Sequence, residues 1–178
     1  INYYIAIFVC LFAIVYFVYQ LFTDQKTQTH IGQGNPWLNF FRRIGRFAWA
    51  SLLAGGLSAI MALPIFLSLL HTSASGDTWP QAHSFFFQLF DFPARFFIGS
   101  TPNIRSGLPN VYAGVLTILL IPVYLKSERI SLREKAFSIG TLAFLFLGFN
   151  SNFLNFLWHG MHYPNQLPHR FAFVYVFF

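Results

Sequence analysis

YYIAIFVCLFAIVYFVYQLF, residues 3–22, contains no charged side chain. Twenty such residues rising about 1.5 Å each cover the roughly 30 Å hydrocarbon core of a bilayer. Tyr3, Tyr4, Tyr16 and Tyr19 stand towards the two ends, where amphipathic rings favour the headgroup level. A secretory signal would need a basic start and a shorter apolar stretch, so the segment reads as a transmembrane helix. The rest of the chain has the same character. Of 178 residues, 56% are apolar, 21% aromatic and 9% charged. A soluble domain carries about 25% charged residues, so this composition cannot cover a water-facing surface. The expected fold is all-α, a polytopic transmembrane bundle.

Working outward, further spans are expected at about 47–70, 108–125 and 136–158, and a fifth begins at 171 and ends at 178. Because the first residue is Ile and the last apolar run is too short to cross, the chain is expected to be a single membrane-domain fragment from within a longer protein. In the second span Ser51, Gly55 and Ala59 recur every four residues and would let a neighbouring backbone approach closely. Pro64 should kink that span, and Pro122 lies near the exit of the third.

The eleven Lys and Arg orient the bundle. Lys26, Arg42, Arg43 and Arg46 precede the second span, and Lys126, Arg129, Arg133 and Lys135 lie between the third and fourth. Only Arg95, Arg105 and Arg170 lie in the other two connections. The positive-inside rule therefore puts the first and third connections in the cytoplasm and the second and fourth outside. His71, His83, His159, His162 and His169 then all fall on the outer side. Within the second connection Gln81, Ser84, Gln88, Asp91 and Arg95 are spaced by three or four, which predicts an amphipathic helix on the outer membrane face, interrupted at Pro93. Such a helix could simply anchor the loop or shape an entrance for a lipid-linked substrate.

The stretch richest in chemistry is NSNFLNFLWHGMHYPNQLPHR, residues 150–170. If the fourth helix runs to its outer end, Gly148, Asn152, Asn155, His159 and His162 share one face, a polar seam that must meet other helices or a wet cavity. Asn152 and Asn155 could equally bond between helices. Gly160, Pro164 and Pro168 then break the helix and gather His159, His162, His169 and Arg170 at the outer boundary. Arg and His together can form a donor-rich pocket for phosphate, or can simply rest among headgroups. The irregular His-x-x-His-x6-His spacing supports zinc poorly. Other motifs carry little. Gly32 and Gly34 form a lone Gly-x-Gly without a strand before it, Cys10 has no partner cysteine, and Asp77 and Asp91 read as turn or solvation residues. No basic stripe interleaved with aromatics points to nucleic acid.

NYYIAIFVCLFAIVYFVYQLF, ALPIFLSLL, LPNVYAGVLTILLIPVYL, SERISLREKAF and above all FLNFLWHGMHYPNQLPHRFAF resemble the bacterial YfhO-type membrane proteins over nearly the whole chain. The resemblance implies a multi-pass protein of the bacterial plasma membrane, of the GT-C glycosyltransferase type. Such a protein would transfer a sugar from a polyprenyl-phosphate donor to an envelope polymer of the lipoteichoic-acid kind on the outer face. Its partners would be membrane lipids, the lipid-linked sugar and the polymer acceptor; no cofactor is implied, and a divalent metal has no support in the sequence. Trp158, His159, His162, Asn165 and Arg170 match the family motif, with Arg170 and the two His expected to bind donor phosphate or sugar; Asn152 and Asn155 lie on the seam leading to them. The catalytic carboxylate of such enzymes usually stands in the first outer loop, expected to precede Ile1, so no catalytic residue is assigned. A transporter lined by Asn152, Asn155 and His159, or a non-catalytic scaffold of envelope synthesis, are the rival readings.

Overall fold

A computed structural model of the chain describes residues 3–23, 35–69, 71, 77–100, 107–163 and 167–178. Among these residues there are six α-helices, α1 (Tyr3–Thr23), α2 (Pro36–Leu69), α3 (Val115–Lys126), α4 (Leu132–Asn150), α5 (Asn152–Trp158) and α6 (Ala172–Phe177), and one 3-10 helix, Leu89–Phe96. The described residues hold no strand, only an isolated antiparallel bridge between Phe85 and Ser151.

The all-helical class stands; of the four complete spans expected, the described residues show two. Two helices, Tyr3–Thr23 and Trp37–Ser68, are long and apolar enough to cross a membrane. The span expected from residue 47 is the later part of a longer helix. Asn35 caps it, its side-chain oxygen accepting from the Trp37 N–H at 3.1 Å, and Pro36 fills the first position, where a missing N–H costs nothing. At 34 residues α2 is about 50 Å long, so its first turns, carrying Arg42, Arg43 and Arg46, extend beyond a hydrocarbon core of roughly 30 Å. The helix continues through Pro64.

The third expected span loses its beginning. Residues 107–114 are not helical, with Gly107 and Gly114 at φ 100° and 95°, conformations closed to most side chains. This segment instead delivers Val111 and Pro109, both fully buried, to the core. The helix α3 that follows has only 12 residues.

The fourth expected span breaks at Ser151. It starts well: Ser131 accepts from the Glu134 N–H at 3.1 Å, the first half of a Ser-x-x-Glu capping box. It breaks because Asn150, Ser151 and Asn152 have short polar side chains that compete with helical hydrogen bonding, and the segment 82–87 makes use of them. The Asn150 side chain accepts from the Phe87 N–H at 3.0 Å and its carbonyl from the Phe86 N–H at 2.9 Å. Ser151 Oγ meets His83 Nε2 at 3.1 Å. Asn152 accepts from the Ser84 N–H at 3.0 Å and donates to the Ala82 carbonyl at 2.8 Å. Residues 82–87 are thus clipped edgewise to the break, and the amphipathic helix expected from Gln81 to Arg95 is reduced to Leu89–Phe96. Its polar stripe is lost with it: only Asp91 and Arg95 are helical, and Arg95 is buried.

The core lies where α1, α4, α5 and α6 meet. Phe8, Phe92, Val111, Leu145, Phe149, Trp158, Phe171 and Val174 form it. Trp158 stacks on Phe171 with centroids 4.9 Å apart and planes within 3°, and Phe149 stacks on the same ring at 4.7 Å. Gly148 permits this: a Cβ there would lie 2.7 Å from Trp158 Nε1. Ala would contribute about 1 kcal/mol of helix propensity, but overpacking costs about 1–3 kcal/mol. Gly148→Ala is therefore expected to lower the melting temperature of the purified protein; an increase would mean that Trp158 yields freely.

Candidate functional site

The turn after α5 is built on buried polar bonds. Asn155 is 1% exposed, and its amide donates to the Pro168 carbonyl at 2.9 Å and, at the longer 3.4 Å, to the Gly148 carbonyl. One side chain thereby closes the hairpin and ties it to α4. Gly160 at φ 72° and Met161 at φ 64° turn the chain back.

His159 caps α5 and is also 1% exposed. Its Nδ1 lies 2.8 Å from the Asn155 carbonyl. A carbonyl can only accept, so Nδ1 carries the proton and Nε2 is a bare acceptor; that Nε2 is buried with no partner among the described residues. Phe8 and Phe171 meet the ring edge-on. His162 Nδ1 donates in the same way to the His159 carbonyl at 2.9 Å, which leaves Nε2 of the neutral ring to accept from the Tyr4 hydroxyl at 2.9 Å. Tyr4 also stacks on His162 with centroids 4.8 Å apart. On the Tyr4 ring rests Arg170, its guanidinium carbon 5.6 Å from the centroid, and no carboxylate among the described residues pairs with it. His162, Tyr4 and Arg170 therefore form one partly buried group at the start of α1.

The other expected residues lie elsewhere. Trp158 is 2% exposed and belongs to the core. Asn152 holds the 82–84 segment, while Asn155 points to Pro168, so the helix break divides the expected single face from Gly148 to His162. Asn165 lies outside the described residues. His169 Nε2 donates to the Gly107 carbonyl at 2.8 Å and fastens residues 107–114, with Nδ1 buried and unpartnered among the described residues. No three His, Cys, Asp or Glu among the described residues gather as metal ligands.

One residue was read as a turn former from sequence. Asp77 Oδ2 accepts from the Tyr163 N–H at 2.8 Å, across 86 residues, and so stands beside the turn after α5. Nothing local in the sequence marks that pairing.

Burial, the largest cause, pushes the pKa of His159 and of His169 down from 6.5 to about 4. In His159 the Asn155 carbonyl partly offsets it and His162 adds to it; in His169 the Gly107 carbonyl partly offsets it. Below pH 6.5 the unfolded chain then binds more protons than the folded one, so stability falls as pH drops from 6.5 towards 4. By about pH 5 the loss is at most about 2 kcal/mol for each ring. The melting temperature in detergent is expected to be lower at about pH 5 than at about pH 7.5, with a smaller difference in His169→Gln. A flat profile would contradict neutral buried rings.

Further along α1, an open apolar groove of about 700 Å³ is lined by Val9, Phe12, Asn110, Phe173, Val174 and Val176. Val9 and Phe12 lie about 7 and 12 Å further along α1 than Tyr4. A cation at the head of an apolar helix can hold an anion that carries a hydrocarbon chain.

No curated protein and no solved structure matches the chain significantly. A family model does: that of the bacterial membrane protein YfhO, over residues 1–178. With the apolar helices and the turn after α5 falling within that match, the chain belongs to the YfhO family of bacterial membrane proteins.

Proposed function

We propose that this protein works as a membrane glycosyltransferase that takes a sugar from a polyprenyl-phosphate donor at the outer face of the bacterial plasma membrane and passes it to an envelope polymer of the lipoteichoic-acid kind. The observation that carries this reading is Arg170, a partly buried guanidinium on the Tyr4 ring, free of carboxylate partners among the described residues. Arg offers two parallel donors to phosphate oxygens, and fixed positive charge favours the phosphate that departs as the sugar is transferred. His162 contributes through Tyr4, and the bare Nε2 of His159 is an acceptor rather than a second cation. The excess of basic residues in the connections around α2 and α4 supports the outward orientation of the turn.

The transporter reading has less support. Asn152 and Asn155 direct their amides to loop carbonyls, and His159 Nδ1 is held by its own helix, so the three do not line one path.

A binding measurement tests the proposal. In mixed micelles the purified protein should retain a polyprenyl phosphate at least about tenfold more tightly than the corresponding polyprenol, because charged hydrogen bonds contribute roughly 1.5–3 kcal/mol. Arg170→Ala should abolish the preference. Equal affinity for the phosphate and the alcohol in the parent protein would remove the assignment.

A further inference from the structure

We infer that Trp79, Tyr163 and Asp77 form a saccharide-binding shelf on the outer loops, with the C–H face of a pyranose lying on the two rings and its hydroxyls donating to the carboxylate. Trp79 is 49% and Tyr163 44% exposed. Both back onto Phe156, which is buried: its ring centroid lies 5.4 Å from Trp79 and 5.0 Å from Tyr163. Trp79 also rests on Phe153 at 5.7 Å. Each ring is thus about half exposed and is braced, edge-on or obliquely, by rings of α5, a rigid apolar support that loses little side-chain freedom on binding.

Asp77 supplies the polar half. Its Oδ2 is held by the Tyr163 N–H at 2.8 Å, and Oδ1 has no partner among the described residues. A carboxylate held by the Tyr163 backbone, two residues before the half-exposed Trp79, does not suit burial in hydrocarbon, where an unpaired charge is costly. It also repels phosphate. A neutral or N-acetylated sugar fits, because it has an apolar face and a rim of hydroxyl donors. The shelf adjoins the cation: Tyr163 follows His162, whose ring bonds Tyr4, which supports Arg170. The choice of a sugar as ligand rests on the transferase reading, in which the saccharide would extend from the phosphate held at Arg170.

Saturation-transfer NMR on the full chain in detergent, with neutral hexose and N-acetylhexosamine methyl glycosides as probes and no lipid phosphate present, tests the shelf. At least one glycoside should receive saturation on its ring protons. Trp79→Phe keeps the packing on Phe153 and Phe156 with a smaller outer face and should weaken binding several-fold. Asp77→Asn keeps an oxygen for the Tyr163 N–H and replaces the open acceptor with a donor, so binding should fall about tenfold. Absence of saturation with every glycoside, or equal affinity in both variants, would overturn the shelf; the rings would then be interfacial anchors. Since these probes contain no phosphate, a failure here leaves the preference for polyprenyl phosphate untouched, and a failure of that preference leaves glycoside binding untouched.

Discussion

Replacing Arg170 with Ala in the cellular protein is expected to lower glycosylation of the envelope polymer about a hundredfold or more, the range seen when one preorganised donor to a developing anion is removed. Protein abundance in the membrane should be unchanged. The guanidinium is partly exposed, and among the described residues its close contact is with the Tyr4 ring, which at such a site is worth about 0.5–1 kcal/mol. Arg170→Lys restores the charge without the planar fork, and should recover part of the activity but not all of it. Mass spectrometry of the extracted polymer, with the protein quantified by immunoblot, separates these outcomes. Full glycosylation in Arg170→Ala would show that the donor phosphate is held elsewhere.

Asn155→Ala should have the largest effect on the fold. It removes the bond to the Pro168 carbonyl and the weaker one to Gly148, leaving acceptors without their donor at a position that is 1% exposed. An unsatisfied buried group costs about 1–3 kcal/mol, and the lost side-chain volume adds a cavity, so a total of about 2–4 kcal/mol is expected. Pro168 lies two residues before Arg170, so the loosened turn should also weaken the polyprenyl-phosphate preference. Thermal unfolding in detergent reads the first effect and micelle binding the second. Unchanged melting would mean that water replaces the amide, contrary to the burial seen here.

Much of this architecture is legible along the chain. Residues 3–22 announce a membrane helix because an uncharged run of that length has no stable place in water. The Ser131 cap of α4 is a local signal of the same kind. The break in the fourth expected span and the loss of the polar stripe share one cause. Residues 150–152 lie in an apolar run with helical spacing, and periodicity extends the helix through them. Their side chains are instead engaged by residues 82–87, over 60 positions earlier. The same pairing undoes the expected stripe from Gln81 to Arg95, since a segment clipped edgewise to a helix break cannot also coil.

Composition and order of residues alone determined membrane residence, the helical class and the family, because these depend on local hydropathy and motif. Tertiary structure alone decided which groups share the turn after α5. It joined Tyr4 to His162, Pro168 to Asn155, and Asp77 to Tyr163, and it buried His159 with its acceptor nitrogen bare. Hydrogen bonds between distant segments are selected by packing and by the need to satisfy buried polar groups, and neither leaves a periodic trace in the sequence.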